Sequence, residues 1–246
     1  MLDKLKSITN KVSVKAAELQ EKLKVREKVL KIKDLSLKTC HAGRRQIDRL
    51  GRKTARSGIS ANTVTITGFV IGIFAINFLS LEMYGYALLC ILLNRFFDAL
   101  DGAIARNSGI TDFGVFLDAT LDYIFYAGVI FGFALANPGQ NAIAACFLLF
   151  AFTTAACAML AYAVVAYKNN SGQKLELNQS PFYLGGLAQG SETFVALIVL
   201  CLIPSWFLQI AIILGVLSMV KALSVIAAAY YNFVIALRNK KNNPDA

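Results

Sequence analysis

Hydrophobic positions run in long blocks through residues 61–236, separated by polar links, and this pattern decides the fold class. Six blocks are visible, at 61–81, 84–106, 113–136, 141–167, 183–203 and 206–236. A helix rises about 1.5 Å per residue, so each block can cross a hydrocarbon core of about 30 Å. The links are the short stretches LEMY, NSGITD, ANPGQN and IPS, and one longer polar run, KNNSGQKLELNQSP. The pattern predicts an all-α bundle of six transmembrane helices. Residues 1–60 read differently. Leu2, Leu5, Ile8, Val12, Leu19, Leu23, Leu30 and Leu37 recur at roughly helical spacing among lysines and arginines. That is the mark of a basic amphipathic juxtamembrane helix, held to a membrane surface by anionic headgroups. The expected division is a cytoplasmic basic segment at 1–60, a transmembrane domain at 61–236 and a cytoplasmic tail at 237–246. No internal repeat or low-complexity tract interrupts this order.

Composition agrees. The 246 residues are 57% hydrophobic and 16% charged, with a mean hydropathy of +0.56, which excludes an ordinary soluble domain. The first long apolar run begins near Ala61 with no cleavage-like site after it, so no secretory signal peptide is expected. Glu18, Glu21 and Glu27 in a Lys-rich N-terminus argue against a mitochondrial presequence.

Charge sets the orientation. Residues 1–60 hold 17 of the 25 Lys and Arg, and Arg106, Lys168, Lys174, Arg238, Lys240 and Lys241 fall on the same side of the six-span scheme. The opposite links contain no Lys or Arg. By the positive-inside rule both termini are cytoplasmic, in what reads as a bacterial inner membrane. This arrangement accounts for the net charge of +10 without a nucleic-acid partner. Cys40, Cys90, Cys146, Cys157 and Cys201 have no ligand-like spacing and read as small hydrophobes, and His41 as an incidental surface residue.

Four aspartates stand out against this background. Asp98 and Asp101 lie three apart near the end of the second block, on one helical face. Asp118 and Asp122 lie four apart in the third block, with Gly114 one turn earlier on the same stripe. A short link makes the two helices antiparallel neighbours, so the acidic faces are expected to meet just below the cytoplasmic surface. Ionisable groups at this depth are costly, and four carboxylates together repel unless a cation neutralises them. Oxygen ligands suit Mg²⁺, Mn²⁺ or Ca²⁺, and no His or Cys lies nearby for zinc. A carboxylate site holding two such ions can stabilise charge on a phosphoryl group and on its leaving oxygen. An acid–base network with Arg95 and Arg106, or a cation or proton transporter, would use the same acids.

The stretch 98–122, DALDGAIARNSGITDFGVFLDATLD, resembles the D-x-x-D-G-x-x-A-R…G-x-x-x-D-x-x-x-D signature of the CDP-alcohol phosphotransferases, integral membrane enzymes of phospholipid synthesis. Asp98, Asp101, Gly102, Ala105, Arg106, Gly114, Asp118 and Asp122 fill every fixed position. ANTVTITG is similar to the family's N-x-x-T stretch at Asn62 and Thr65, with Ala61 where a proline often stands. The likeness extends over most of residues 40–236.

The resemblance implies transfer of a phosphatidyl or other substituted phosphate group from a CDP-linked donor to an alcohol acceptor, with release of CMP. CDP-diacylglycerol is the expected donor, and a CDP-choline or CDP-ethanolamine type of aminoalcohol chemistry is the alternative. It implies Asp98, Asp101 and Asp118 as ligands of one or two Mg²⁺ or Mn²⁺ ions, and Asp122 as a further ligand or the catalytic base. Asn62, Thr65, Gly102, Ala105, Arg106 and Gly114 would contact the donor. Lys221, Glu192, Lys168 and Lys174 are candidates for acceptor or phosphate contacts, with Glu192 also a candidate partner of Lys221. Arg95 is read as an ion-pair partner of Asp98. Family members are commonly homodimers, which the resemblance extends to this chain. No P-loop or zincin helix is present, and a single histidine does not make a triad.

Overall fold

The computed structural model describes residues 43–169 and 190–236, and these are helical with short turns between. In chain order the helices are α1 (43–56), α2 (Ala61–Ser80), α3 (Tyr84–Ser108), α4 (Asp112–Ala136), α5 (Pro138–Asn169), α6 (Gly190–Leu202) and α7 (Phe207–Tyr230). A single 3₁₀ turn, Pro204–Trp206, leads into α7, and a π-helical stretch, Tyr231–Ala236, follows it. The amphipathic pattern over residues 1–42, the polar link with Lys174 and the tail at 237–246 lie outside the described residues.

Among the described residues four segments are long and apolar enough to cross a membrane: Ala61–Ser80, Asp112–Ala136, Pro138–Lys168 and Pro204–Val234. The second expected span, α3, has the length, at 25 residues, but carries Arg95, Asp98, Asp101 and Arg106. The fifth, α6, is seen over 13 residues, beginning where the described chain resumes. One boundary moved for a clear reason. α5 starts at Pro138, three residues before the expected 141, because proline suits a first helical position and Asn137 Oδ1 accepts from the Gln140 amide at 3.3 Å.

The described residues form two compact units, the smaller containing residues 43–61 with Ala99–Ile110 and the larger Asn62–Asp98 with the described residues from Thr111. In the smaller unit α1 lies against the C-terminal part of α3. A Cβ on Gly51 would come within 2.6 Å of Ala103 Cβ, so only glycine permits this approach. Arg106 donates to Asp48 of α1 at 2.9 Å, and Gly109, with φ of +104°, ends α3 in the left-handed conformation typical of a helix C-cap.

In the larger unit α2 buries mostly small residues and turns large ones outward, as a helix packed closely in a lipid-facing bundle should. On α2 the buried stripe is Val64, Gly68, Gly72, Ala75 and Leu79, while Ile66, Val70 and Phe74 are exposed. Phe125, Val129 and Phe133 of α4 lie in the core, where Phe133 stacks on Tyr84 at 6.2 Å and on Phe207 at 5.1 Å. α5 and α7 run side by side, with Gly215 under the Phe147 ring and Tyr162 stacked on Phe233. At Gly68 the helices touch: a Cβ there would lie 2.6 Å from Phe97 Cβ of α3. Gly68→Ala is therefore expected to destabilise the protein by about 1–3 kcal/mol, the usual cost of overpacking, read as a lower unfolding midpoint in detergent.

Candidate active site

α4 is set in place by local chemistry. Thr111 caps it, its backbone extended at φ −111° and its hydroxyl accepting from the Gly114 amide at 3.1 Å. Asp112 in the first turn complements the helix dipole. The geometry orients Gly114, Asp118 and Asp122 along one stripe, spaced four apart.

On α3, within the larger unit, Asp98 faces Asp118. One carboxylate oxygen of each lies within 4.8 Å of the other. Asp101 follows three residues later in the same uninterrupted helix and is 5% exposed. The expected meeting of acids from the second and third apolar blocks is thus seen in the Asp98–Asp118 pair.

Asp122 is held differently. Arg95 grips it through both terminal nitrogens, Nη2 to Oδ1 at 2.5 Å and Nη1 to Oδ2 at 3.3 Å. The expected Arg95–Asp98 pair exists but is longer, at 3.5 Å. Arg95 is itself fixed from behind. Nε and Nη2 donate to Asn94 Oδ1 at 2.9 and 2.7 Å, and Nη1 donates to the Tyr126 hydroxyl at 3.2 Å. Its guanidinium lies 5.0 Å from the Phe125 ring centre and 5.1 Å from that of Tyr126. Asn94 in turn donates to the Gly68 carbonyl at 3.0 Å, which ties α2 to the same network.

Asn62 meets Gly114. A Cβ on that glycine would come 3.1 Å from Asn62 Oδ1 and 2.9 Å from Thr111 Oγ1, so a side chain there would crowd the asparagine amide. Thr65, one turn into α2, is partly buried. In the smaller unit a Cβ on Gly102 would make only ordinary contact, 3.4 Å from Arg106 Nη1. Ala105 is partly buried, and Arg106 is exposed and paired with Asp48. Lys221 is partly buried on α7, and Glu192 is exposed near the start of α6. Lys168 is exposed at the end of α5, and Lys174 lies outside the described residues.

Sequence reasoning missed one contact: Asp48 as the partner of Arg106 carries no motif. A network of Arg95 with the acids is among the expectations, and the structure places its two-point grip on Asp122, 27 residues away.

The family model for CDP-alcohol phosphatidyltransferases matches residues 59–223, well over half of the chain. The chain belongs to the CDP-alcohol phosphatidyltransferase family. It is accordingly a transferase of substituted phosphate groups in phospholipid synthesis. The chain is 44% identical over 175 residues to inner membrane protein YnjF of Escherichia coli, covering 71% of this chain and 85% of that one. It is 40% identical over 90 residues to archaetidylinositol phosphate synthase of Pyrococcus horikoshii, covering 36% of this chain and 48% of that enzyme. Its fold is similar to that of Mycobacterium tuberculosis phosphatidylinositol phosphate synthase (PgsA1), solved with CDP-DAG bound. The TM-score is 0.61 at 21% identity, over 76% of this chain and 94% of that one. The same synthase has been solved in complex with manganese and citrate.

Proposed function

We propose that this phosphatidyltransferase takes CDP-diacylglycerol as donor and transfers its phosphatidyl group to the hydroxyl of a polar alcohol, releasing CMP. The observation that carries the reading is the Asp98–Asp118 pair, set within the complete signature of eight fixed positions. The CDP-DAG complex of the Mycobacterium tuberculosis synthase supports the choice of donor.

The donor set fits a hard divalent cation. Asp98 and Asp118 supply closely spaced carboxylate oxygens, and Asp101, Asp98's neighbour one turn along, completes the proposed ligands. Mg²⁺ and Mn²⁺ both suit such oxygens. A bound ion would supply neutralisation of charge on the diphosphate and its leaving oxygen. The chain's own residues do the rest. Asn62, Thr65 and Gly114 line the place of the nucleotide, with Gly102 and Ala105 offering further close approach. Arg106 is assigned to the donor diphosphate, a role that requires it to exchange Asp48 for substrate. The acceptor oxygen attacks the phosphorus that bears the diacylglycerol, the bond from that phosphorus to the CMP oxygen breaks, and the hydroxyl proton passes to Asp122. Lys221, with Glu192 and the lysines Lys168 and Lys174, is assigned to the acceptor side.

The six-span topology with cytoplasmic termini, the basic juxtamembrane segment at 1–60, a place in a bacterial inner membrane and a homodimer belong to the same proposal. The E. coli relative's designation as an inner membrane protein supports the location. The test is product analysis by mass spectrometry after incubation of the purified protein with CDP-diacylglycerol, Mn²⁺ and separate acceptors: inositol phosphate, glycerol phosphate, serine and inositol. One new phospholipid, formed one-for-one with CMP, is the expected result. Turnover of CDP-linked aminoalcohols with diacylglycerol instead would overturn the assigned donor.

A further inference from the structure

We propose that a cavity at the end of the bundle away from the aspartates binds a phospholipid headgroup bearing an ammonium group beyond its phosphate, as in an ethanolamine phospholipid. The inference goes beyond the proposed function and does not rest on it. The cavity holds about 550 Å³, within the range of small-molecule sites and far more than one metal ion fills. Its walls come from the starts of three helices of the larger unit. Glu82 and Tyr84 line it at the start of α3, Asn137 and Asn141 at that of α5, and Ser205 and Gln209 at that of α7. Asp98 stands 14 residues along α3 from Tyr84, about 21 Å at the helical rise, so the cavity is separate from the candidate active site.

Glu82 is the only charged residue among those lining the cavity, and the links LEMY, ANPGQN and IPS contain no Lys or Arg. Among the described residues its carboxylate forms no ion pair. It is also held at a backbone cost. Glu82 sits at φ +58° in the left-handed region, where it closes α2 in a Schellman turn. Its amide donates to the Leu79 carbonyl at 2.9 Å, and the Met83 amide to that of Phe78 at 2.8 Å. Glycine takes that position without strain; glutamate there sets a carboxylate beside the cavity. Asn141, 9% exposed, donates its side-chain amide to the Phe133 carbonyl at 2.8 Å, which leaves its side-chain oxygen to accept. An ammonium group with three N–H donors matches a carboxylate and an amide oxygen. The phosphate behind it suits the starts of α5 and α7, where the helix dipoles are positive and Ser205 and Gln209 offer donors. Tyr86 and Trp206, exposed near the starts of α3 and α7, mark the depth of the headgroups and make a lipid of that leaflet the source.

Native mass spectrometry of the full chain, released from detergent containing equal amounts of phosphatidylethanolamine and phosphatidylglycerol, tests this without turnover. Wild type is expected to retain phosphatidylethanolamine with a preference of about tenfold, the low end for a hydrogen bond to a charged group, because Glu82 is exposed. Glu82→Gly and Glu82→Gln should abolish the preference, and Glu82→Lys should turn it toward phosphatidylglycerol. Glu82→Gly also relieves the strained turn, so its unfolding midpoint should match or exceed that of wild type, which separates lost binding from lost fold. Soluble glycerophosphoethanolamine, at the concentration of the lipid, should not displace it. Equal retention of the two lipids by wild type, retention of neither, or an unchanged preference in the Glu82 variants would overturn the proposal. Displacement by the soluble compound would overturn the lipid as its source.

Discussion

Asp118→Asn is expected to lower kcat by about 10³-fold and to weaken Mn²⁺ binding in the same protein. The substitution keeps the side chain's size and its place on α4, so packing is unchanged and the loss is chemical. Asp118 faces Asp98 with carboxylate oxygens within 4.8 Å, and an amide there removes one anionic ligand of the proposed pair. Charge stabilisation by a bound divalent ion is worth several kcal/mol in phosphoryl chemistry, and each 1.4 kcal/mol corresponds to about tenfold in rate. Parallel measurement of CMP formation and Mn²⁺ affinity checks the claim. Full activity in the variant, with Mn²⁺ affinity intact, would remove Asp118 from the site.

Asp122→Asn is expected to be nearly as severe in rate. General bases contribute about 10²- to 10⁴-fold, so kcat should fall within that range. An asparagine can still accept one hydrogen bond from Arg95, which limits collapse of the Asn94–Arg95–Tyr126 network. A circular dichroism spectrum and an unfolding midpoint close to wild type are expected alongside the lost activity. Loss of fold in step with loss of rate would mean that Asp122 serves the structure through its ion pair, as breaking a largely buried pair does elsewhere.

The fold was legible because lipid imposes a coarse rule. A block of about 20 apolar residues must be a helix of about 30 Å, and the blocks at 61–81 and 113–136 reappear as Ala61–Ser80 and Asp112–Ala136. Detail at the ends was less legible because it depends on caps. Pro138 and Asn137 extended α5 toward its N-terminus through bonds that hydropathy does not register. The pairing of Asp98 with Asp118 was readable from spacing, since positions three or four apart fix a face and a short link fixes the neighbour. What spacing could not supply was which acid Arg95 grips. Its reach to Asp122 depends on rotamers and on the flanking rings of Phe125 and Tyr126. The same holds for Arg106, whose pairing with Asp48 joins residues 58 apart.

Small residues illustrate the same limit. Gly102 and Gly114 look alike in a motif, yet a Cβ at 114 would crowd Asn62 and Thr111 while one at 102 would make only ordinary contact. The first is a packing requirement beside the proposed nucleotide site, and the second leaves open surface on its helix. Pattern alone does not separate the two; the neighbour's position does.

The most direct test of the whole account is acceptor-dependent CMP release by the purified protein in liposomes containing CDP-diacylglycerol. The account predicts release only when a polar alcohol and Mg²⁺ or Mn²⁺ are both present, abolition by EDTA and recovery on adding excess Mn²⁺. Release that continued unchanged in EDTA, or no release with any acceptor in the presence of Mn²⁺, would contradict it.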